Sequence, residues 1–216
     1  MNQLDSRQRM LYIGLWFFLS GTLAYLCLRL SIQWPAVQDL DQAFLISLSP
    51  LRQTWFIDWM RRATQLASSR VLFPLISLAV LFLLLKKRVV AAVLLPLLFL
   101  MERSLNHMLK QLVARPRPDL YHYVHETGYS FPSGHAMNAA TMYGLLIIVL
   151  LPHCHRKWTR ALLVALCVAA ILLVGFTRPF LQVHYLTDIL GGYAVGLALN
   201  GLVLIALACL QRRMHR

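Results

Sequence analysis

The chain has 216 residues, 59% of them hydrophobic and 13% charged, with a net charge of +13 and a mean hydropathy of +0.62. This apolar share is well above that of a soluble domain and argues against a water-facing globular protein. The basic residues cluster at the ends of apolar runs, so anionic lipid headgroups rather than nucleic acid are the expected partner.

The first apolar run, Met10 to Ile32, is too long for the apolar region of a signal peptide, and no small-residue cleavage site follows it. It reads as a first transmembrane helix. Five further runs follow at about 71–86, 88–109, 134–152, 159–177 and 188–210, each near the length that crosses roughly 30 Å of hydrocarbon. The second is short and either borrows Ala67 to Arg70 or stands nearly upright. Between the first two, Trp55, Phe56, Trp59 and Met60 interleave with Arg52, Asp58, Arg61 and Arg62, the pattern of an amphipathic helix at the membrane interface. Such a helix either closes the bundle or admits lipid. The expectation is therefore all-α: one integral membrane domain over residues 1–216, a six-helix bundle with an interfacial helix between helices 1 and 2.

Short cytoplasmic segments retain Lys and Arg, which sets the orientation. Arg7 and Arg9 precede the first span, and Lys86, Lys87 and Arg88 separate the second from the third. Arg156, Lys157 and Arg160 separate the fourth from the fifth, and Arg212, Arg213 and Arg216 end the chain. Six crossings put all four clusters on one side, which makes that side the cytoplasm, with both termini inside. Cys27, Cys154, Cys167 and Cys209 lie within or beside apolar runs without paired spacing, so they are assigned to packing rather than disulfides. His153-Cys154-His155 is too crowded to converge on one ion, and no metal or other cofactor is expected.

Three polar groups interrupt the apolar chain, and the six-span arrangement brings all three to the opposite, extracytoplasmic face. The first is Lys110 with Ala114-Arg115-Pro116-Arg117-Pro118; the second is Tyr129-Ser130-Phe131-Pro132-Ser133-Gly134-His135; the third is Thr177-Arg178 with His184 and Asp188. Each part suits phosphoryl transfer, which needs cations and amide donors aimed at phosphate oxygens. Lys110, Arg117 and Arg178 supply the cations. Ser133 adds a hydroxyl, and Gly134 at a helix start lets the anion approach free N–H groups. His184 and Asp188 are four residues apart, so on one helical face the carboxylate holds one imidazole nitrogen and leaves the other to attack phosphorus. His135, from another helix, is then placed to protonate the leaving oxygen.

These residues resemble the signature of the type 2 phosphatidic acid phosphatase superfamily, K-x6-R-P, P-S-G-H and S-R-x5-H-x3-D. Here it reads Lys110 to Arg117-Pro118, Pro132-Ser133-Gly134-His135, and Thr177-Arg178 to His184 to Asp188, with threonine for serine at Thr177. Arg115-Pro116 has the right letters in the wrong register, so the phosphate role goes to Arg117. The resemblance implies a metal-independent lipid phosphatase with His184 as nucleophile, Asp188 as its partner and His135 as acid. Lys110, Arg117, Ser133, Gly134 and Arg178 would hold the phosphate. Undecaprenyl diphosphate and phosphatidylglycerol phosphate are the expected substrates, hydrolysed at the outer leaflet through a phosphohistidine. Transfer of the phosphate to a second lipid, or lipid binding without catalysis, are the competing readings. Glu102, Arg103 and Asn106 form a stripe on the third span that either satisfies buried groups or braces the catalytic loops. His122, His125 and Glu126 read as a solvated loop.

Overall fold

The computed structural model describes residues 5–214, with side chains from 5 to 210. Its helices are α1 (Ser6–Ser31), α2 (Pro35–Ser47), α3 (Thr54–Ala63), α4 (Ser69–Leu85), α5 (Val89–Val113), α6 (Gly134–Leu150), α7 (Lys157–Phe180) and α8 (Leu186–Met214), with no strand among the described residues. Helices α1, α5, α7 and α8, and α6 with the 3-10 turn that follows it, are each long and apolar enough to cross a bilayer. The chain is a multi-pass membrane protein. Helix α4, with 17 residues, is the short second apolar run and begins at Ser69. It reaches crossing length only together with residues 54–67, across a 41° bend at Ser68, whose backbone is extended.

The amphipathic helix expected from residues 52–62 is α3, and a further helix, α2, precedes it across the 3-10 turn Ser49–Leu51. Pro50 lacks an N–H to continue α2, so the chain turns there. On α3, Ile57, Met60 and Ala63 face inward at helical spacing while Trp55 and Trp59 stay exposed. The inward face joins Leu48, Phe180, Leu181 and Val183 in a small core of its own, separate from the main one. This second core anchors the α7–α8 connection.

Helix α8 is the centre of the bundle, with α1 on one face and α6 on another. Its parallel seam with α6 is set by Gly192 and Gly196, one turn apart. A Cβ at Gly192 would lie 2.7 Å from the Ser133 carbonyl oxygen, and one at Gly196 would lie 2.6 Å from Ala140 Cβ. Without water to drive helix association in the bilayer, such close backbone approach is a main source of attraction. Farther along, Asn200 Nδ2 donates to the Ala140 carbonyl at 2.9 Å. Because α6 and α8 run in the same direction, both of their N-termini lie at one end of the bundle.

The basic clusters gather at the other end. Arg7 Nε donates to the Ala208 carbonyl at 3.2 Å, beside the C-terminal part of α8. Phe82, over whose ring Lys86 lies, packs edge-on against His153 just beyond α6. Arg216 lies outside the described residues, as do the side chains of Arg212 and Arg213. His153 Nδ1 is 3.1 Å from the Val149 carbonyl and Cys154 Sγ donates to that of Leu150, so both turn back onto α6. Filling the seam with Gly196→Val is expected to lower stability by about 1–3 kcal/mol, the usual cost of overpacking. Thermal unfolding in detergent measures it, with outward-facing Leu172→Val as the unperturbed control.

Candidate active site

Three connections build the site at the end where α6 and α8 begin. Helix α5 stops at Ala114, which takes the left-handed conformation (φ 52°) and returns its N–H to the Lys110 carbonyl at 2.9 Å. The prolines of Arg115-Pro116-Arg117-Pro118 keep the chain from re-entering a helix, so Lys110 and both arginines are delivered within one short stretch. Ser133 caps α6, its hydroxyl accepting from Ala136 N at 3.5 Å, and Gly134 and His135 open the helix. The Ser133 hydroxyl is thus turned toward the helix rather than toward the cavity. Arg178 lies in the last turn of α7, His184 in the connection, and Asp188 in the first turn of α8. Ser133 N donates to the Asp188 carbonyl at 3.0 Å, which ties the two helix starts together.

Lys110, Gly134, His135 and His184 line one cavity of about 350 Å³. The two imidazoles from separate helices therefore share one space. His184 is 1% exposed, with Nδ1 3.3 Å from Asp188 Oδ2 and 3.2 Å from Ser130 Oγ. Its other nitrogen, Nε2, is 3.2 Å from Arg117 Nη1. Guanidinium nitrogens only donate, so Nε2 must be the acceptor and the ring proton belongs on Nδ1, facing Asp188. Burial pushes the His184 imidazole well below the usual histidine range, and Arg178, Arg117 and Lys110 push the same way. The result is a neutral ring with a lone pair directed at the cations.

Arg178 is completely buried; Nη1 donates to Thr64 Oγ1 at 2.9 Å, while Nε has no protein partner. Its Nη2 bonds Glu126 closely. Glu126 is also 3.6 Å from Arg117 Nη2 and 3.7 Å from His135 Nδ1, so it sits among the site's cations and not in a solvated loop. Burial pushes its carboxyl up, but nearby positive charge, that of Arg178 foremost, outweighs this and holds it at about 2. A carboxylate thus occupies a place suited to an incoming anion. His122 does remain in its loop, with Nε2 2.9 Å from the Pro118 carbonyl.

Arg115 does not join the phosphate-facing cations. It bridges Asp41 Oδ2 at 2.8 Å and Asp188 Oδ1 at 2.7 Å, both carboxylates fully buried. Ser130 donates to the other Asp188 oxygen. Neither Ser130 nor Asp41 was given a role from the sequence; a clue to Asp41 was its place on one helical face with Leu45 and Leu48, where an acid is out of keeping. Of the stripe on α5, Asn106 Nδ2 reaches the Pro132 carbonyl at 3.4 Å and so braces the loop before α6. Arg103 Nη1 donates to Ser69 Oγ at 2.5 Å, whereas both carboxyl oxygens of Glu102 are buried without a partner.

The PAP2 superfamily model matches residues 85–212. The chain belongs to the PAP2 superfamily. It is 37% identical over 186 residues to phosphatidylglycerophosphatase B of Bacillus subtilis, a match covering 84% of this chain and 90% of that protein. The crystal structure of a transmembrane PAP2-type phosphatidylglycerolphosphate phosphatase from Bacillus subtilis superposes with a TM-score of 0.80 at 33% identity, covering 92% of this chain and 96% of that one. Aquifex aeolicus LpxE superposes with a TM-score of 0.59 at 25% identity, over 77% of this chain and 95% of its own. As a PAP2 member the chain is a lipid phosphatase, and its substrate is a membrane lipid. The resident carboxylate makes a specific prediction for this PAP2 site. Glu126→Gln is expected to tighten competitive inhibition by vanadate about 3- to 10-fold, near the ~1 kcal/mol of one partly exposed charge. An unchanged inhibition constant would show that the carboxylate and the oxyanion do not compete.

Proposed function

We propose that the chain hydrolyses the terminal phosphate of phosphatidylglycerol phosphate or undecaprenyl diphosphate at the extracytoplasmic face, through a phosphohistidine on His184. The observation that carries this reading is the His184 ring: Nδ1 held at Asp188 and Ser130, and Nε2 free of a proton beside Arg117. Lys110, Arg117, Arg178 and the Gly134 amide hold the phosphoryl oxygens, with the Ser133 hydroxyl joining them if it leaves its cap. Nε2 attacks phosphorus as the bond to the lipid oxygen breaks. His135 gives that oxygen its proton, so the lipid alcohol or monophosphate departs neutral at that atom. Asp188 stabilises the positive charge that develops on the His184 ring. Water then attacks phosphorus, its proton passing to His135 as the Nε2–P bond breaks and its electron pair returns to the ring, and inorganic phosphate leaves with His184 restored.

The orientation follows from the basic clusters at the opposite end of the bundle, which the positive-inside rule retains in the cytoplasm together with both termini. The first substrate is favoured because the Bacillus relative bears its name. The test is phosphate release by purified protein from phosphatidylglycerol phosphate, undecaprenyl diphosphate and phosphatidate, with and without EDTA. Activity is expected to survive chelation; loss on EDTA, restored by a divalent ion, overturns the metal-free route. His184→Ala is expected to lose about 10³-fold or more in kcat and to abolish trapping of acid-labile labelled phosphate on the protein. Label that persists on that variant removes His184 as nucleophile. Because burial and three cations keep His184 neutral, kcat/KM is expected to show no acid limb near pH 6.5. Its nucleophilic form is already complete there and is lost only well below, so a midpoint at that pH assigned to His184 contradicts the buried neutral ring.

A further inference from the structure

The side of Asp188 turned away from His184 is occupied by a charge chain that reaches into the interfacial segment. Asp188 divides its oxygens: Oδ2 receives Ser130, Tyr185 N at 2.9 Å and the His184 ring, while Oδ1 receives Arg115 Nη1 at 2.7 Å. The same Nη1 donates to Thr187 Oγ1 at 2.7 Å, and Nη2 donates to Asp41 Oδ2 at 2.8 Å. Asp41, from α2, in turn accepts from Thr187 N at 3.0 Å and from Thr187 Oγ1 at 2.5 Å. It therefore serves as an N-terminal cap for α8 supplied from 146 residues away. The guanidinium lies over the Tyr185 ring, 4.1 Å from its centroid. Arg115 opens onto a separate cavity with Pro116 and Tyr185, which none of Lys110, His135 and His184 lines. Its contacts are with carboxylates, not with the space where a phosphate sits.

We propose that Arg115 is a positioning residue: anchored by Asp41, it fixes the rotation and charge of Asp188 so that Oδ2 stays against His184 Nδ1. Two fully buried carboxylates meeting at the first turn of α8 need a shared cation, and the fork of a guanidinium meets both at fixed angles, which a lysine ammonium cannot do. Without it, Asp188 keeps a hydrogen-bond acceptor at Oδ1 with nothing to hold it, and the imidazole loses its orienting partner without losing any contact to substrate. The interfacial helix α2 thereby becomes part of the catalytic apparatus. This inference rests on the proposed roles of His184 and Asp188.

The experiment is steady-state kinetics on short-chain phosphatidylglycerol phosphate in detergent for the parent, Asp188→Asn, Arg115→Met, Arg115→Lys, Asp41→Asn and the double variant Arg115→Met/Asp188→Asn. Arg115→Met is expected to lower kcat about 10- to 100-fold, as removal of an orienting partner behind a catalytic ligand does. KM and the vanadate inhibition constant stay within about threefold of the parent, since no phosphate contact is lost. Arg115→Lys restores part of kcat, and Asp41→Asn lowers it by less than Arg115→Met. In the Asp188→Asn background the loss of Arg115 adds less than about threefold, because the residue it acts through is already disabled. Losses that multiply, a rise in KM with kcat unchanged, or a parent-like kcat in Arg115→Met each overturn the proposal. If Arg115→Met does not fold, Asp41→Asn and its pairing with Asp188→Asn decide by the same criteria, and a parent-like kcat there overturns it equally. A parent-like rate in Asp188→Asn alone would instead refute the mechanism on which the inference stands.

Discussion

Charge that is buried among apolar helices has to be paired, and that requirement organises the whole catalytic end of this protein. Lys110, Arg115, Arg117 and Arg178 converge on Asp41, Glu126 and Asp188, leaving one positive charge more than negative. The surplus suits a site that must attract a phosphate, while each carboxylate keeps particular cations from repelling one another in its absence. The acids are not equivalent. Asp41 and Asp188 are sealed on the far side of His184, whereas Glu126 stands on the cavity side, in the path of an oxyanion.

Around that cluster the fold supplies rigidity by two different means. In the bundle, glycines bring α6 and α8 close enough for backbone contact, and a hydrogen bond from Ser133 to Asp188 fastens their first turns. Outside it, the apolar patch of Leu48, Ile57, Met60, Phe180, Leu181 and Val183 holds the loop that carries His184. Arg52 Nε and Arg61 Nε donate to the carbonyls of Phe180 and Tyr123, so the interfacial segment grips the loops through backbone acceptors as well.

Much of this was legible in the sequence. Five of the six apolar runs became helices of crossing length and the short second one became α4, and the residues spaced as Lys110 to Arg117, Pro132 to His135 and Arg178 to Asp188 came together because helical periodicity and alternating crossings are local or countable properties. What could not be read was long-range partnership. Register set Arg117 apart from Arg115 in the sequence, but only the packing of α2 against the start of α8 reveals where Arg115 goes, to Asp41 and Asp188. Glu126 sits in a polar loop indistinguishable from a solvated one until Arg178, 52 residues later, is folded against it. The interfacial helix was legible as α3 from its interleaved aromatic and charged residues, whereas α2, which carries Asp41, has no such alternation to announce it.

The parallel course of α6 and α8 has an engineering corollary. Each donates one imidazole from its first residues or the loop just before them, so the gap between the rings is a property of how two rods register along Gly192 and Gly196. Sliding one rod by a single turn would carry its histidine about 5 Å out of reach. Outward faces such as those bearing Leu19, Leu78 and Leu172 contribute nothing to that ruler. Substitutions on those faces therefore leave the spacing of the two rings untouched.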